Sequence, residues 1–359
     1  MPHTVRQALA ALLAAATAAC SSDTVTNPAP GFLSGQVGVV VNSTGHSLTL
    51  FQLSSPTTTR TVAFGTSTTI TPVGFSLRGT RAAVPLGDAA SVALVDLAAD
   101  SVVRYFTFAS GNATGSAWVD DSTVIAANPS TNRVGRIRVG QAGTAIATTV
   151  GVAAYPTAVA VAAGRAFVVS GNLDVNNQYA PLGNGVVTAI DPATMTVVGT
   201  VSTGDTNPTD VAVGPDGKLY VVNTGDYVNP GSLTIINPST LAVEATVPGM
   251  GAGPGAITID SKGLAYISGF YFGTLVWDTN TRQFVRGPSN PVCAPLPSGG
   301  CRGAFGAAVA GDGTLYQAFF GSAKQGLAPQ AFVYTAGTFA LRDSVAVGAG
   351  PADIQIRTF

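Results

Sequence analysis

Pro208-Thr-Asp-Val-Ala-Val-Gly-Pro-Asp-Gly217-Lys-Leu-Tyr-Val-Val-Asn223 is the stretch of this 359-residue chain that decides the fold. Two apolar runs flank a Pro-Asp-Gly turn, which predicts a pair of antiparallel strands. A third run follows within Gly231–Thr240 and a fourth within Leu241–Val247. Together they predict one unit of four antiparallel strands. A unit of this kind cannot bury its own faces, so such units must stack on one another.

The first strand of this unit recurs about every fifty residues along the chain. Its copies lie near Val73–Leu77, Ser116–Val119, Ala158–Ala162, Asp210–Gly214, Ala256–Asp260, Phe305–Val309 and Pro351–Ile356. The last copy ends the sequence, whereas Gln36–Asn42 looks like the second strand of a unit that lacks its first. We therefore expect the C-terminal strand to complete the N-terminal unit.

Such closure would make seven complete units and remove the exposed strand edges of an open stack. The predicted fold is thus all-β: a seven-bladed β-propeller of four-stranded antiparallel blades over residues 35–359. An open solenoid would need polar capping repeats, and the sequence shows none.

From Val211 to Asn223, and again at Asn237–Thr240, the repeat resembles the YVTN-type repeat of YncE-like proteins. The similarity is sharp in the fourth and fifth units, fair in the sixth and seventh, and degenerate in the first three. It implies a seven-bladed propeller in an exported bacterial protein. It does not imply a reaction, because the group includes binding and surface proteins, and related propellers include lactonases and quinoprotein subunits.

Composition excludes some classes of function. Charged residues make up 10% of the chain, the formal net charge is −1, and there are 43 glycines and 22 prolines. The three lysines, Lys218, Lys262 and Lys324, form no basic stripe, which argues against a nucleic-acid partner. The apolar content is ample for a core. We expect a monomer.

Residues 1–19 have the pattern of a secretory signal peptide, with Arg6 before the short apolar run Ala8–Ala16. That run is too short to cross a bilayer as a helix. Residues 20–34 are polar and contain prolines, as expected of a flexible tether.

Cys20 follows small residues and precedes Ser21, which resembles a bacterial lipobox in which the acylated cysteine becomes the mature N-terminus. Thr17 departs from the pattern, because lipoboxes usually carry Leu there. The alternative is ordinary cleavage after Ala18, which would leave Cys20 unmodified. The lipobox interpretation implies an outer-membrane lipoprotein that faces the periplasm or the cell surface.

Cys293 and Cys301 lie eight residues apart in a loop rich in proline and glycine. In an exported chain, this spacing favours one local disulfide. A metal site is disfavoured because no nearby His or further Cys completes a tetrahedral ligand set.

The sequence offers little catalytic chemistry. After removal of the signal peptide the one histidine is His46, in a predicted turn of the first blade, so a Ser-His-Asp triad would depend on it. The predicted channel-lining strands carry few charges, chiefly Asp210, Asp260 and Asp353. An enzyme that uses the central channel, lactonase-like or quinoprotein-like, stays open as an alternative.

Long loops between the second and third strands of adjacent blades should emerge on one face of the disc, where binding residues are often found. The loop Asn172–Gly185 is much longer than a hairpin needs, and the loop Asn223–Gly231 is moderately long. The candidate ligand-binding residues are Asp174, Tyr179, Asp226, Tyr227, Tyr271, Phe272 and Lys324. Aromatic and amide side chains suit glycans or peptides; the alternative is that these loops are insertions without a ligand.

The side chains around Asp174 and Asp226 offer oxygen ligands for Ca²⁺. Each stretch supplies a single carboxylate, however, which makes a weak calcium site. We predict no other cofactor. Asn42, Asn128, Asn172 and Asn223 recur at the ends of second strands, which indicates a structural role in the turns. The sequence thus favours a non-catalytic binding or scaffold module at the cell envelope, with a protein–protein adaptor as a further alternative.

Replacement of the candidate lipid-bearing cysteine tests the anchor. Cys20→Ser should abolish membrane retention, because the predicted lipid is attached to that thiol. Fractionation of cells that express the wild type or the variant measures this. Unchanged retention of Cys20→Ser would contradict the lipoprotein interpretation.

Overall fold

The computed structural model describes residues 31–359, and the strands in that range belong to a compact unit that spans Leu33–Phe359. Seven four-stranded antiparallel sheets, here called blades 1 to 7, form a ring. This confirms the predicted seven-bladed propeller. The predicted signal peptide, Cys20 and most of the predicted tether lie outside the described residues.

Each blade except the first takes its strands in chain order. Blade 1 consists of β1 (Gln36–Asn42), β2 (Ser47–Gln52), β3 (Ser55–Ala63) and the last strand, β30 (Pro351–Thr358). Blade 2 consists of β4 (Ser76–Arg78), β5 (Arg81–Pro85), β6 (Ser91–Asp96) and β7 (Ser101–Thr107). Blade 3 consists of β8 (Ser116–Asp120), β9 (Thr123–Asn128), β10 (Arg133–Arg138) and β11 (Thr148–Gly151).

Blade 4 carries an extra hairpin in its long loop. The blade consists of β12 (Pro156–Ala162), β13 (Arg165–Ser170), β16 (Val186–Asp191) and β17 (Thr196–Ser202). The hairpin consists of β14 (Leu173–Asp174) and β15 (Ala180–Pro181). The sequence predicted the long loop but not these strands.

The remaining blades follow the same pattern. Blade 5 consists of β18 (Pro208–Val213), β19 (Leu219–Asn223), β20 (Pro230–Ile236) and β21 (Val243–Ala252). Blade 6 consists of β22 (Pro254–Ile259), β23 (Leu264–Gly269), β24 (Gly273–Asp278) and β25 (Gln283–Arg286). Blade 7 consists of β26 (Gly306–Val309), β27 (Leu315–Phe319), β28 (Gln330–Tyr334) and β29 (Leu341–Ala346).

Two single-turn 3₁₀ helices, Pro129–Thr131 and Ala323–Gln325, complete the regular structure of the described residues. Within residues 31–359 no helix is long and apolar enough to cross a membrane.

The ring closes as the sequence predicts. Strand β30 pairs antiparallel with β1 from Gln36 opposite Thr358 to Val41 opposite Asp353. It thereby becomes the innermost strand of blade 1, and β1 to β3 follow outward. Closure pairs the two strands that would otherwise be the open edges of the array.

The core lies between blades. One buried cluster joins Tyr220 and Ile235 of blade 5 to Ile267 and Trp277 of blade 6. Another joins Val40, Phe51 and Ile354 of blade 1 to residues of blade 7. Gly38 makes room for Phe51, because a Cβ at this position would lie 2.3 Å from the phenyl ring.

One face of the ring holds the ends of the second strands and the starts of the first strands, and we call it the upper face. In blade 5 the Thr224 amide donates to the Asn207 carbonyl, and in blade 6 the Phe270 amide donates to the Gly253 carbonyl. The side-chain amides of the four predicted turn asparagines all donate hydrogen bonds, to the Ser47 hydroxyl, the Ser110 carbonyl, the Asn184 carbonyl and the Ser232 hydroxyl, which confirms their structural role.

The predicted disulfide is confirmed. Cys293 and Cys301 are bonded, with their Cα atoms 5.4 Å apart, in the segment between blades 6 and 7. His46 lies in the turn between β1 and β2, also as predicted.

A cavity mutation in the closing strand tests the importance of closure. Ile354 is completely buried between blades 1 and 7. We expect Ile354→Ala to lower the free energy of unfolding by about 3 kcal/mol, from lost burial and the cavity left behind. Urea denaturation measures this, with Thr358→Ala at the exposed end of the same strand as control. Equal urea midpoints for the two variants would contradict the conclusion that packing of the closing strand stabilises the ring.

Candidate ligand-binding channel

A central cavity of about 1350 Å³ is lined by the first strands of all seven blades. Its wall includes small residues such as Ala158, Ala256 and Ala307, which leave the interior open. On the upper face the cavity is bordered by side chains from the loops of blades 4 to 7. The wall mixes apolar side chains with polar ones such as Thr157, Thr209 and Gln355, and enclosed cavities with converging polar groups are where small ligands bind.

Six aromatic side chains line the upper part of the channel, and we call them the aromatic collar. They are Tyr155, Tyr179, Tyr227, Phe270, Phe305 and Phe320. Neighbouring rings are in contact: the centroids of Phe270 and Phe305 lie 5.0 Å apart, as do those of Phe305 and Phe320. The Tyr227 ring lies 6.1 Å from Phe270. Four of the six collar rings, from Tyr227 to Phe320, therefore form a continuous aromatic surface along one side of the channel.

The three tyrosines of the collar share an unusual backbone conformation. Tyr155, Tyr179 and Tyr227 have φ angles of 57°, 60° and 64°, in the left-handed region that bulky residues rarely adopt. Such conformations persist where the surrounding structure holds them, and they are enriched at ligand sites. Tyr155 and Tyr179 also contact each other edge to face at 5.4 Å.

Two carboxyl groups face the channel from equivalent positions of two blades. Asp210 and Asp353 each lie two residues after the proline that begins a first strand, opposite the penultimate residue of the second strand. Blades 4 and 6 carry Ala158 and Ala256 at this register position. An aspartate is therefore not required there by the blade fold.

Backbone amides hold both carboxyl groups in place. The Asp210 carboxylate accepts from the Val211 amide at 2.8 Å and, from blade 6, the Ile257 amide at 2.9 Å. Burial nevertheless raises the pKa of Asp210 to about 6. Burial and the charge of Asp210 raise the pKa of Asp353 to about 8, although the Ile354 amide donates to it at 2.7 Å.

The charged groups at the upper end of the channel are all acidic, whereas the opposite end carries both signs. The acidic ones, Asp210, Asp226 and Asp353, lie toward the upper face, and Asp260 follows the far end of β22. Arg78 ends β4 and Arg357 lies near the end of β30, so both belong to the opposite face. No lysine or arginine lines the described channel near the collar.

A smaller cavity of about 320 Å³ lies beside the collar, between blades 6 and 7. Cys301 of the disulfide and Tyr271 contribute to its wall. The Arg302 guanidinium stacks over Phe319 at 5.1 Å and Phe332 at 5.2 Å, which fixes this side of the cavity.

The structure brings together only part of the predicted loop residues. Tyr179, Asp226 and Tyr227 line the channel, and Tyr271 lines the smaller cavity. Asp226 also shapes its own turn, because it accepts from the Val228 and Asn229 amides, which lower its pKa.

The other three predicted residues line neither cavity. Phe272 packs on the buried cluster between blades 5 and 6. The Asp174 carboxylate accepts from the Asn176 amide at 2.9 Å in the turn of the extra hairpin. Lys324 is exposed in the second 3₁₀ helix.

Sequence reasoning missed Tyr155, Phe270, Phe305 and Phe320 as site residues. Their shared signal is position: each immediately precedes a first strand or follows a second strand.

As for Ca²⁺, residues 31–359 contain no group of three or more His, Cys, Asp or Glu that could hold a metal ion.

Comparison with solved structures identifies propellers as similar folds. A protein of unknown function from Desulfotomaculum acetoxidans is 14% identical, with a TM-score of 0.65 over 90% of this chain and 99% of that one. Hydrazine synthase from Kuenenia stuttgartiensis is 14% identical, with a TM-score of 0.61 over 82% and 91%. The WD40 propeller domain of Doa1 is 9% identical, with a TM-score of 0.52 over 64% and 71%.

At these identities the similarity shows the fold alone. No protein-family model and no curated protein matches the chain. Membership of the YncE-like group therefore stays a prediction.

The raised pKa of Asp353 predicts how stability changes with pH. The pKa of Asp353 in the folded protein, about 8, lies above the ordinary value of 3.8 for an aspartate, so the folded state holds this proton more tightly. The resulting stabilisation is complete below about pH 4 and is lost as the pH rises to 8. Asp353→Asn should therefore gain stability relative to the wild type as the pH rises from 4 to 9, because it has no carboxyl proton to lose.

Chemical denaturation between pH 4 and pH 9 measures this difference. Asp278→Asn is the matched control, because turn amides lower the pKa of Asp278 and it does not line the channel. A wild type and Asp353→Asn that respond identically to pH would show that the carboxyl is not perturbed.

Proposed function

We propose that this protein is an exported, lipid-anchored binding module that receives a small ligand, or the end of a larger one, in its central channel. The observation that carries the proposal is the aromatic collar over a 1350 Å³ cavity. Tyr179 and Tyr227 are 54% and 43% exposed although they contact other rings. Aromatic surface that stays exposed at a channel entrance is available to a ligand.

The cell-envelope location in this proposal rests on the N-terminal sequence. The signal-like residues 1–19, Cys20 and the polar segment up to residue 34 would place the propeller outside the cytoplasm on a short tether. The Cys293–Cys301 disulfide is compatible with an oxidising compartment. The repeat resemblance to YncE-like proteins supports the same location.

A second candidate function is acid–base catalysis in the channel, and the pair Asp210 and Asp353 favours it. Their pKa values, about 6 and about 8, suit a general base and a general acid near neutral pH. The residues that line the described channel include no histidine or cysteine, so these carboxyl groups would carry the reaction. Hydrolysis of lactones by the wild type, lost in Asp353→Asn, would favour this function over simple binding.

A thermal-shift panel tests the binding function. Purified protein is screened against neutral oligosaccharides, short peptides, small organic cations, lactones and Ca²⁺. A ligand at a hundredfold over its Kd should raise the Tm on the order of 4 °C in a chain of this length. We expect at least one class to bind, and Tyr179→Ala/Tyr227→Ala to weaken that binding at least tenfold in calorimetry.

Tyr105→Ala is the matched control, because Tyr105 is a 39% exposed tyrosine on β7 and does not line the channel. Binding that survives the double collar variant, or that Tyr105→Ala weakens equally, would place the ligand elsewhere. A panel without any hit would overturn the proposal and favour a protein–protein adaptor.

A further inference from the structure

Resting on the proposed function, we infer that the channel selects an organic cation: a ligand with an ammonium or quaternary ammonium group that enters past the aromatic collar toward Asp210 and Asp353. The collar, the position of the two carboxyl groups and the lack of Lys or Arg in the upper part of the described channel lining each support this ligand class, while Arg302 borders the separate, smaller cavity.

The collar supplies the first reason. The six rings of the collar line one cavity, and four of them form a chain of contacts from Tyr227 through Phe270 and Phe305 to Phe320. The face of an aromatic ring carries negative electrostatic potential, so several rings around one space attract a cation. The described residues place no Lys or Arg over the rings of this chain, whereas Arg302 is stacked on the separate pair Phe319 and Phe332.

The carboxyl groups supply the second reason. Alanine holds the equivalent position in blades 4 and 6, so a blade can form without an acidic side chain there, and only Asp210 adds a hydrogen bond from the neighbouring blade, donated by the Ile257 amide. Burial disfavours the ionised form of both carboxyl groups, and this cost would be absent with alanine at the two positions. A positively charged ligand would offset this cost, because an opposite charge nearby favours the ionised form.

The distribution of the other charges supplies the third reason. The charged residues that line the channel are Arg78, Asp210, Asp226, Asp260, Asp353 and Arg357. Arg78 ends a first strand and Arg357 lies near the end of another, both at the face opposite the collar. A cation that enters from the collar side therefore meets acidic groups before basic ones, whereas an anion on the same path would be repelled by those acidic groups.

A divalent metal ion fits these residues less well. Asp210 accepts backbone amides on both carboxylate oxygens, which leaves fewer lone pairs for coordination. Asp210 and Asp353 belong to blades 5 and 1, which are not neighbours in the ring, and no third His, Cys, Asp or Glu joins them in the described part of the chain. Calcium takes six to eight oxygen ligands, so a pair of carboxyl groups on separate blades does not suffice.

Choline and its uncharged analogue 3,3-dimethylbutan-1-ol form the test pair, because they differ chiefly in the positive charge. Calorimetry at pH 8 should show choline binding at least tenfold more tightly to the wild-type protein. In Asp210→Asn/Asp353→Asn this preference should fall to about twofold or less, while the analogue keeps its affinity. Retained binding of the analogue shows that the double variant is folded.

A pH series adds a second readout. Asp353 holds a proton near neutral pH in the free protein, so binding of choline should release protons and strengthen between pH 6 and pH 9. Binding of the uncharged analogue should not change over this range. Asp278→Asn, in a turn outside the channel lining, should behave as the wild type does.

The outcomes separate this inference from the proposed function. Equal affinity for choline and its analogue, or a choline preference that survives the double Asn variant, would overturn the cation assignment. If oligosaccharides or peptides still bind in a collar-dependent way, the binding function stands without it. If no probe binds and the collar variants change nothing, both are wrong.

Discussion

The pairing of β30 with β1 is the constraint on which the rest of this structure depends. It turns a row of blades into a ring, and only in a ring does every blade pack between two neighbours. The clusters that stabilise the protein lie between blades, so each blade contributes half of two interfaces. An unpaired β1 would leave an open edge at blade 1 and weaken its packing against blade 7. Closure also creates the channel, because the first strands then surround a common axis.

Within that ring, blade architecture and channel chemistry are largely independent. Buried residues of the second and third strands, such as Tyr220 and Trp277, determine how blades pack. The third residue of a first strand faces the channel and tolerates either alanine or aspartate, as Ala256 and Asp353 show. A rigid scaffold can therefore vary its channel lining without loss of fold. This separation explains why a shared propeller fold carries so little information about function.

The upper face shows how the ring positions a site with residues that do not determine how the blades pack. Blades 4 to 7 supply the collar, four of its six rings from residues adjacent to a first or second strand and two, Tyr179 and Tyr227, from loops. Phe270 and Phe305 lie far apart in the chain but meet at 5.0 Å, because blades 6 and 7 are neighbours. The disulfide between Cys293 and Cys301 lies in the same sector and borders the adjacent smaller cavity. The site thus depends on blade order rather than on any single motif.

Much of the fold was predictable because it is local and repeated. Alternation within strands, Pro-Asp-Gly turns and the unmatched strands at both ends specify blade number and closure, and the spacing of Cys293 and Cys301 specifies their bond. The loop containing Phe270, Tyr271 and Phe272 shows the limit: one ring borders the channel, one the smaller cavity, and one packs on the core. Likewise the pKa of Asp353 depends on Asp210, from a blade distant in sequence. Only the tertiary structure decided these, because burial and electrostatics depend on which segments meet in space.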